Sequence, residues 1–258
     1  MSIAPPGLTL LPAGHSPKHN HLLAALPAEV FERISPQLEL VAMPLGDALF
    51  ESGGQLQNVY FPTTSIVSMH YILENGSSIE IAGVGNEGVL GISLFLGGNS
   101  MPGGALVQVG GCGYRLKKHL MMNEFNRAGP MMHWMLRYTQ ALISQVSQTA
   151  VCNRHHSIEQ RLCRLLLSHL DRLHSSELTM TQELIAGILG VRREGITEVA
   201  GKLQRAGLIS YQRGHITALN RAGLESHSCE CYYAVREEFD HLFCGTSHYQ
   251  EPALTRLV

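Results

Sequence analysis

Apolar positions along this chain keep two rhythms, and the change between them divides it. From Leu38 onward come short alternating or wholly apolar runs: Leu38–Pro44, Ala48–Phe50, Gln57–Phe61, Ser65–Leu73, Ser78–Val84 and Ala105–Leu116. Turn-forming clusters separate them, including Ser52-Gly53-Gly54, Glu74-Asn75-Gly76, Gly85-Asn86-Glu87-Gly88 and Gly97-Gly98-Asn99. A two-residue period bounded by such clusters predicts strands, and six or more short strands at this spacing predict a compact β-roll or barrel. Ahead of them, residues 1–26 are rich in Pro, Gly, His and Ala without a period. They read as a mobile extension with a short helix near Leu22–Leu26.

After the roll the period lengthens. From about Asn126 to Asn153, Met131, Met135, Tyr138, Leu142, Val146 and Thr149 recur at steps of 4, 3, 4, 4 and 3. That is one long helix with a heptad-like seam, the pattern of a two-stranded contact. A seam of this kind also suits a helix packed on its own β-domain. A further helix over Ser157–Arg172 follows, with Asp171–Glu177 as its loop.

The next stretch carries the candidate chemistry. Thr181 stands as an N-cap before Leu184, Ile185 and Ile188 at helical spacing, Leu189 closes that helix, and Gly190 supplies the left-handed residue that stops it. A second helix buries Ile196, Val199, Ala200 and Leu203 and turns Arg192, Arg193, Glu194, Thr197 and Glu198 outward. A short helix set against a longer one with Arg, Glu and Thr exposed in its first turns is the geometry of a helix-turn-helix. Two strand-like runs, Leu208–Gln212 and His215–Leu219, flank Arg213-Gly214 and predict a hairpin wing. Arg forks match guanine acceptors, Glu accepts from cytosine, and Thr reaches a base or a phosphate. Arg192, Arg193, Glu194, Thr197 and Glu198 are therefore the exposed candidates for contact with DNA. Thr181, Gln182, Arg192, Lys202, Arg205 and Arg213 are the expected phosphate or helix-turn-helix contacts.

Charge sharpens this picture. The net charge is −2, yet residues 126–178 and 179–221 carry +3 each, while residues 1–125 and 222–258 carry −4 each. Positive charge thus gathers around the reader, a modest nucleic-acid footprint. At 258 residues with 45% hydrophobic and 16% charged residues, two packed domains are feasible. No apolar run reaches the roughly 18–20 residues that span a bilayer. The N-terminus shows no basic region leading into an apolar core, and six cysteines without such a signal read as reduced thiols, so a cytoplasmic location is expected.

The whole plan resembles the Crp/Fnr family of bacterial transcription regulators. Thr181–Leu219 carries the resemblance most specifically, followed by Val59-Tyr60-Phe61-Pro62 through Glu87-Gly88-Val89-Leu90-Gly91. The stretches Cys152–Ser157 and Ser228–Tyr232 look like one branch of that family. The resemblance implies an α+β chain. Its parts would be an extension (1–30), a cyclic-nucleotide-binding-like β-roll (31–125), a dimerisation helix (126–153), a winged helix-turn-helix (154–222) and a C-terminal helical tail (223–258). It implies a homodimer on an inverted-repeat DNA operator, with RNA polymerase a further candidate partner. It also puts Arg193, Glu194 and Thr197 at the usual base-reading positions. Many members have Arg where this chain has Glu198, which shifts the expected operator sequence.

Cofactor chemistry fares less well. Nucleotide-binding members carry a Gly-Glu step and then an Arg followed by Ser or Thr; here those places read Gly91-Ile92 and Gly103-Gly104. No Lys or Arg occurs across Leu38–Tyr114 to neutralise a phosphate. Control by a cyclic nucleotide is not expected. Cys112, Cys152 and Cys163 lack iron–sulfur spacing, and His70 or His119 alone is a poor case for haem. His227, Cys229 and Cys231 form a small cluster that matches no four-ligand zinc pattern, and His155-His156 reads as a helix-entry pair near phosphate. The expectation is no metal, no cofactor and no catalytic residue, since neither a nucleophile turn nor a phosphate-binding glycine loop occurs. The competing class is a small-ligand or redox sensor that acts through protein partners and keeps a relic helix-turn-helix.

Overall fold

The computed structural model describes residues 14–74 and 78–244. Two short helices, α1 (His21–Ala24) and α2 (Ala28–Ile34), lead into seven strands. These are β1 (Glu39–Met43), β2 (Ala48–Phe50), β3 (Asn58–Pro62), β4 (Ile66–Ile72), β5 (Ser78–Val84), β6 (Gly104–Val109) and β7 (Gly111–Lys117). They form two antiparallel sheets, ordered β1-β7-β3 and β2-β6-β4-β5, whose facing side chains make the first core. The last apolar run of the roll, expected as one strand, is two. It breaks at Gly110, and the chain passes from one sheet to the other.

The extension expected over residues 1–30 is corrected from residue 14 onward; residues 1–13 lie outside the described residues. Asn20 is fully buried and donates through Nδ2 to the carbonyls of Pro62 (2.9 Å) and Gly88 (2.8 Å). Its Oδ1 caps α1, and Leu22 and Leu23 are sealed in the first core. Apolar burial, together with a satisfied buried amide, fixes this segment to the roll.

Helix α3 (Lys118–Phe125) leaves the roll, and Pro130 at its first turn starts the long helix α4 (Pro130–His155). The second core begins with α5 (Ile158–Leu173), entered through a capping box between Ser157 and Gln160. It continues through β8 (Glu177–Thr179), α6 (Gln182–Leu189), α7 (Arg193–Arg205), β9 (Ile209–Gln212), β10 (His215–Ala218) and α8 (Arg221–His227). The strands order β8-β10-β9, and β8 falls partly within the stretch expected as a loop. Helix α9 (Cys231–Cys244) then packs back along α4, with Phe239 beside Tyr138 and Phe243 stacked on Trp134.

Helix α4 corrects the expected seam. Met131, Met135, Tyr138 and Leu142 are at most 2% exposed and belong to the core of their own roll; Val146 packs on that core and Thr149 is buried. The face read as a two-stranded seam is the face the helix needs for its own β-domain.

Candidate nucleic-acid interface

The reader is assembled from short local rules. The Thr181 hydroxyl accepts the Leu184 amide at 3.2 Å and starts α6, and Gly190 ends it at φ +61° and ψ +41°. Arg161 of α5, itself buried, donates to the Leu189 carbonyl and so fastens the turn from below. Helix α7 buries Ile196, Val199, Ala200 and Leu203 and leaves Arg193, Glu194, Thr197 and Glu198 exposed. Arg192 occupies its N-cap without a side-chain cap bond, so backbone N–H groups of the first turn, at the positive end of the helix, remain for an anion such as phosphate.

The wing closes on two left-handed residues, Arg213 at φ +50° and Gly214 at φ +85°, as a type I′ two-residue hairpin requires. The Gly214 carbonyl accepts the Met180 amide at 2.7 Å, and the Tyr211 hydroxyl donates to the Met180 carbonyl at 2.8 Å. These two bonds tie the wing to the start of α6. Met180 and Tyr211 were not singled out in the sequence. Their part depends on β8 pairing with β10, which a three-residue strand does not signal.

Residues 160–227 match a family model, the Crp-like helix-turn-helix domain. Solved structures with the same architecture include FixK2 from Bradyrhizobium japonicum, 15% identical over 74% of this chain and 98% of that one, with a TM-score of 0.66. They also include the CRP-family transcriptional regulator TTHB099 from Thermus thermophilus, 20% identical over 73% and 96%, with a TM-score of 0.61. A third is the c-di-GMP-responsive global regulator CLP from Xanthomonas campestris, 14% identical over 75% and 100%, with a TM-score of 0.61. No curated protein sequence matches the chain. The chain has the Crp/Fnr fold and a Crp-like helix-turn-helix domain.

On this Crp-like domain the expected contacts fall on the exposed surface of α6, α7 and the wing. Thr181, Arg192, Arg193, Glu194, Thr197, Lys202, Arg205 and Arg213 are all exposed, and Gln182 is half-buried. Lys202 is held by Glu198 one helical turn away, at 3.0 Å. The structure also thins the charge count. Arg161 faces inward, Arg172 pairs with Glu87, and Arg221 pairs with Asp171 and Glu225. The outward cations of the reader that were expected at DNA are Arg192, Arg193, Lys202, Arg205 and Arg213.

The roll touches this Crp-like reader directly. A side chain at Gly190 would meet Ile79 of β5, and β5 packs on α6. Arg172 reaches from α5 to the end of β5 and the turn after it, bonding the Gly83 carbonyl at 2.9 Å and Glu87 at 2.9 Å. Behind it, buried His169 lies between the Leu165 carbonyl and Gln108, which in turn donates to Glu80. Burial, then the Arg172 charge, pushes the His169 imidazole down to about 3, while burial pushes the Glu80 carboxyl up. A cavity of about 890 Å³ opens between the roll and α6, lined by Ser68, His70, Glu80 and Gln108 on one side and by Glu183, Leu184 and Ile188 on the other.

The small C-terminal cluster is regrouped. His227 stands 2.9 Å from Glu159, away from the cysteines. Cys229 and Cys231 instead meet Cys152 and His156 at the end of α4. His156, expected near DNA phosphate, is turned into that cluster. No spacing in the sequence joins positions 152 and 229; only the return of the chain through α8 does.

Proposed function

We propose that this protein is a homodimeric, sequence-specific DNA-binding transcription regulator acting on an inverted-repeat operator. The observation that carries this reading is the exposed row of Arg193, Glu194 and Thr197 along α7 of a Crp-like helix-turn-helix, flanked by Arg192, Arg205 and the Arg213 wing tip. Arg193, Glu194 and Thr197 read bases. Arg192, Lys202, Arg205 and Arg213 contact phosphates, while Thr181 and Gln182 set the first helix against the backbone.

The dimer uses a different strip of α4 from the one the apolar period picks out. Leu136 and Ile143 are 47% and 52% exposed, large values for apolar residues in the middle of a helix. With exposed Gln140, Ser147 and Ala150 they recur at steps of 4, 3, 4 and 3, the spacing of a two-stranded seam. Pairing there brings two readers into the two-fold relation that an inverted repeat demands.

Cyclic-nucleotide control has no support from the roll, which offers no Lys or Arg between residues 34 and 114. We place the protein in the cytoplasm with DNA as its partner; no described helix is long and apolar enough to cross a membrane. The test is selection from random duplex DNA with the purified protein and no added ligand. Enrichment of an inverted repeat supports the reading. Absence of enrichment, both alone and with cell extract, overturns it in favour of a sensor that acts through protein partners.

A further inference from the structure

Cys152, Cys229 and Cys231 are each at most 2% exposed and form a cluster separate from both cores. His156 joins them one helical turn after Cys152, so both side chains leave the same face at the end of α4. The sulfur and ring-nitrogen atoms of the four residues all lie within 4.8 Å of one another. We propose that Cys152, His156, Cys229 and Cys231 form a mononuclear tetrahedral metal site of the zinc class, tying the end of α4 to the start of α9.

The distances suit one ion. Tetrahedral bonds of about 2.3 Å to sulfur and about 2.0 Å to nitrogen put neighbouring ligands roughly 3.5–3.8 Å apart. The Cys152 and Cys229 sulfurs are 3.5 Å apart, and Cys231 Sγ lies 3.6 Å from His156 Nδ1. An iron–sulfur cluster, which spreads its protein ligands over two or more irons, needs a wider cage. The donor set of three thiolates and one imidazole is closed and soft, which favours zinc over magnesium or calcium.

The surroundings agree with this assignment. His156 Nε2 is 3.2 Å from the Glu230 carboxylate. That arrangement leaves Nδ1 for the ion and orients the ring, as carboxylates do behind metal-bound histidines. Arg161 and Arg164 of α5 lie within electrostatic reach of the thiols. Each keeps a buried Nε without a hydrogen-bond partner. One divalent ion with three thiolates and a neutral imidazole carries net −1, a counter-charge to these two cations.

The site stands where the long helix gives way to the reader. Helix α4 ends at His155, His156 is extended at φ −106° and ψ 147°, and α5 starts at Ile158. An ion held from both sides of this break fixes the reader's last helices to α4.

The test is metal analysis of the purified full-length protein, prepared reduced and without chelator. We expect one zinc per chain in the wild type and in C244S, whose cysteine is exposed and outside the cluster. C229S and C231S should each lose at least tenfold in bound zinc. Because these variants risk misfolding, X-ray absorption on the wild-type zinc protein is the second measurement. A shell of three sulfurs and one nitrogen is expected, and cobalt exchanged into the wild type should give the visible bands of a tetrahedral thiolate site. Less than a tenth of an equivalent after dialysis against zinc overturns the proposal, as does a shell of nitrogen and oxygen alone. A Cys152–Cys229 disulfide in the reduced-purified protein overturns it as well. None of these readouts depends on DNA binding.

Discussion

The Thr197 hydroxyl donates to Gln182 Oε1 at 2.7 Å, joining α7 to the first residue of α6. The same hydroxyl lies 3.1 Å from the Arg193 carbonyl, so its single proton is already committed within the protein. In the proposed base contact Thr197 therefore offers its methyl group and oxygen lone pairs, and the two helices hold their angle partly through this bond. A double-mutant cycle of Thr197→Ala and Gln182→Ala on operator affinity should give a coupling of about 0.5–1 kcal/mol, in the range of one net hydrogen bond. Strict additivity would show that the two side chains act independently on DNA.

Base readers and phosphate anchors separate in their salt and sequence dependence. Arg193→Ala should cost about 1–3 kcal/mol on the selected operator and flatten discrimination at one base pair of each half-site. Arg213→Ala, at the wing tip, should weaken operator and random DNA alike and lower the slope of log affinity against log salt by about 1 per site. Fluorescence anisotropy titrations at several salt concentrations check both. Equal losses from Arg193→Ala on all sequences would return that residue to the phosphate class.

The two faces of α4 predict opposite phenotypes. Leu136→Glu and Ile143→Glu place charge on exposed apolar positions of the proposed seam. They should yield a folded monomer in sedimentation analysis, with thermal stability reduced only by loss of the partner. Leu142→Ala, at 2% exposure within the roll core, should instead cost about 2–5 kcal/mol of folding stability through the cavity it leaves. A Leu136→Glu, Ile143→Glu protein that stays dimeric would move the seam elsewhere.

Much of this was legible in the sequence, for a common physical reason. Strand alternation, the Thr181 cap, the Gly190 stop and the Arg213-Gly214 turn are each written in a few adjacent residues, and the structure places each where its local rule puts it. What was not legible depends on which surface meets which. The period through Met131, Met135, Tyr138 and Leu142 is truly amphipathic, but a period names a buried face without naming its partner. Here the chain's own roll takes that face. Asn20 reads as part of a featureless polar stretch until Pro62 and Gly88 are folded against it. Cys152 and Cys229 likewise meet only because α8 turns the chain back across α5.

His169 gives the roll–reader junction a pH signature. Its imidazole is fully enclosed, with Nδ1 at the Leu165 carbonyl and Nε2 beside Gln108, and it faces the Arg172 charge; burial followed by that charge lowers it to about 3 from 6.5. Because the folded value is the lower one, the unfolded chain binds the proton first as pH falls below 6.5. Stability from this residue is complete above 6.5 and is lost progressively between 6.5 and about 3, at up to roughly 1.4 kcal/mol per pH unit. Glu80, raised by burial, acts in the opposite sense, taking up its proton more readily when folded. Comparison of His169→Asn with wild type cancels most of that opposing contribution. Asn can still donate to the Leu165 carbonyl but does not titrate. Chemical denaturation at pH 7.5, 6.5, 5.5 and 5.0 should show wild-type stability falling faster than that of the variant by about 1 kcal/mol per unit below pH 6. Parallel pH profiles would mean that His169 is protonated in the folded protein, beside Arg172 and with a hydrogen bond to Gln108 carrying the charge.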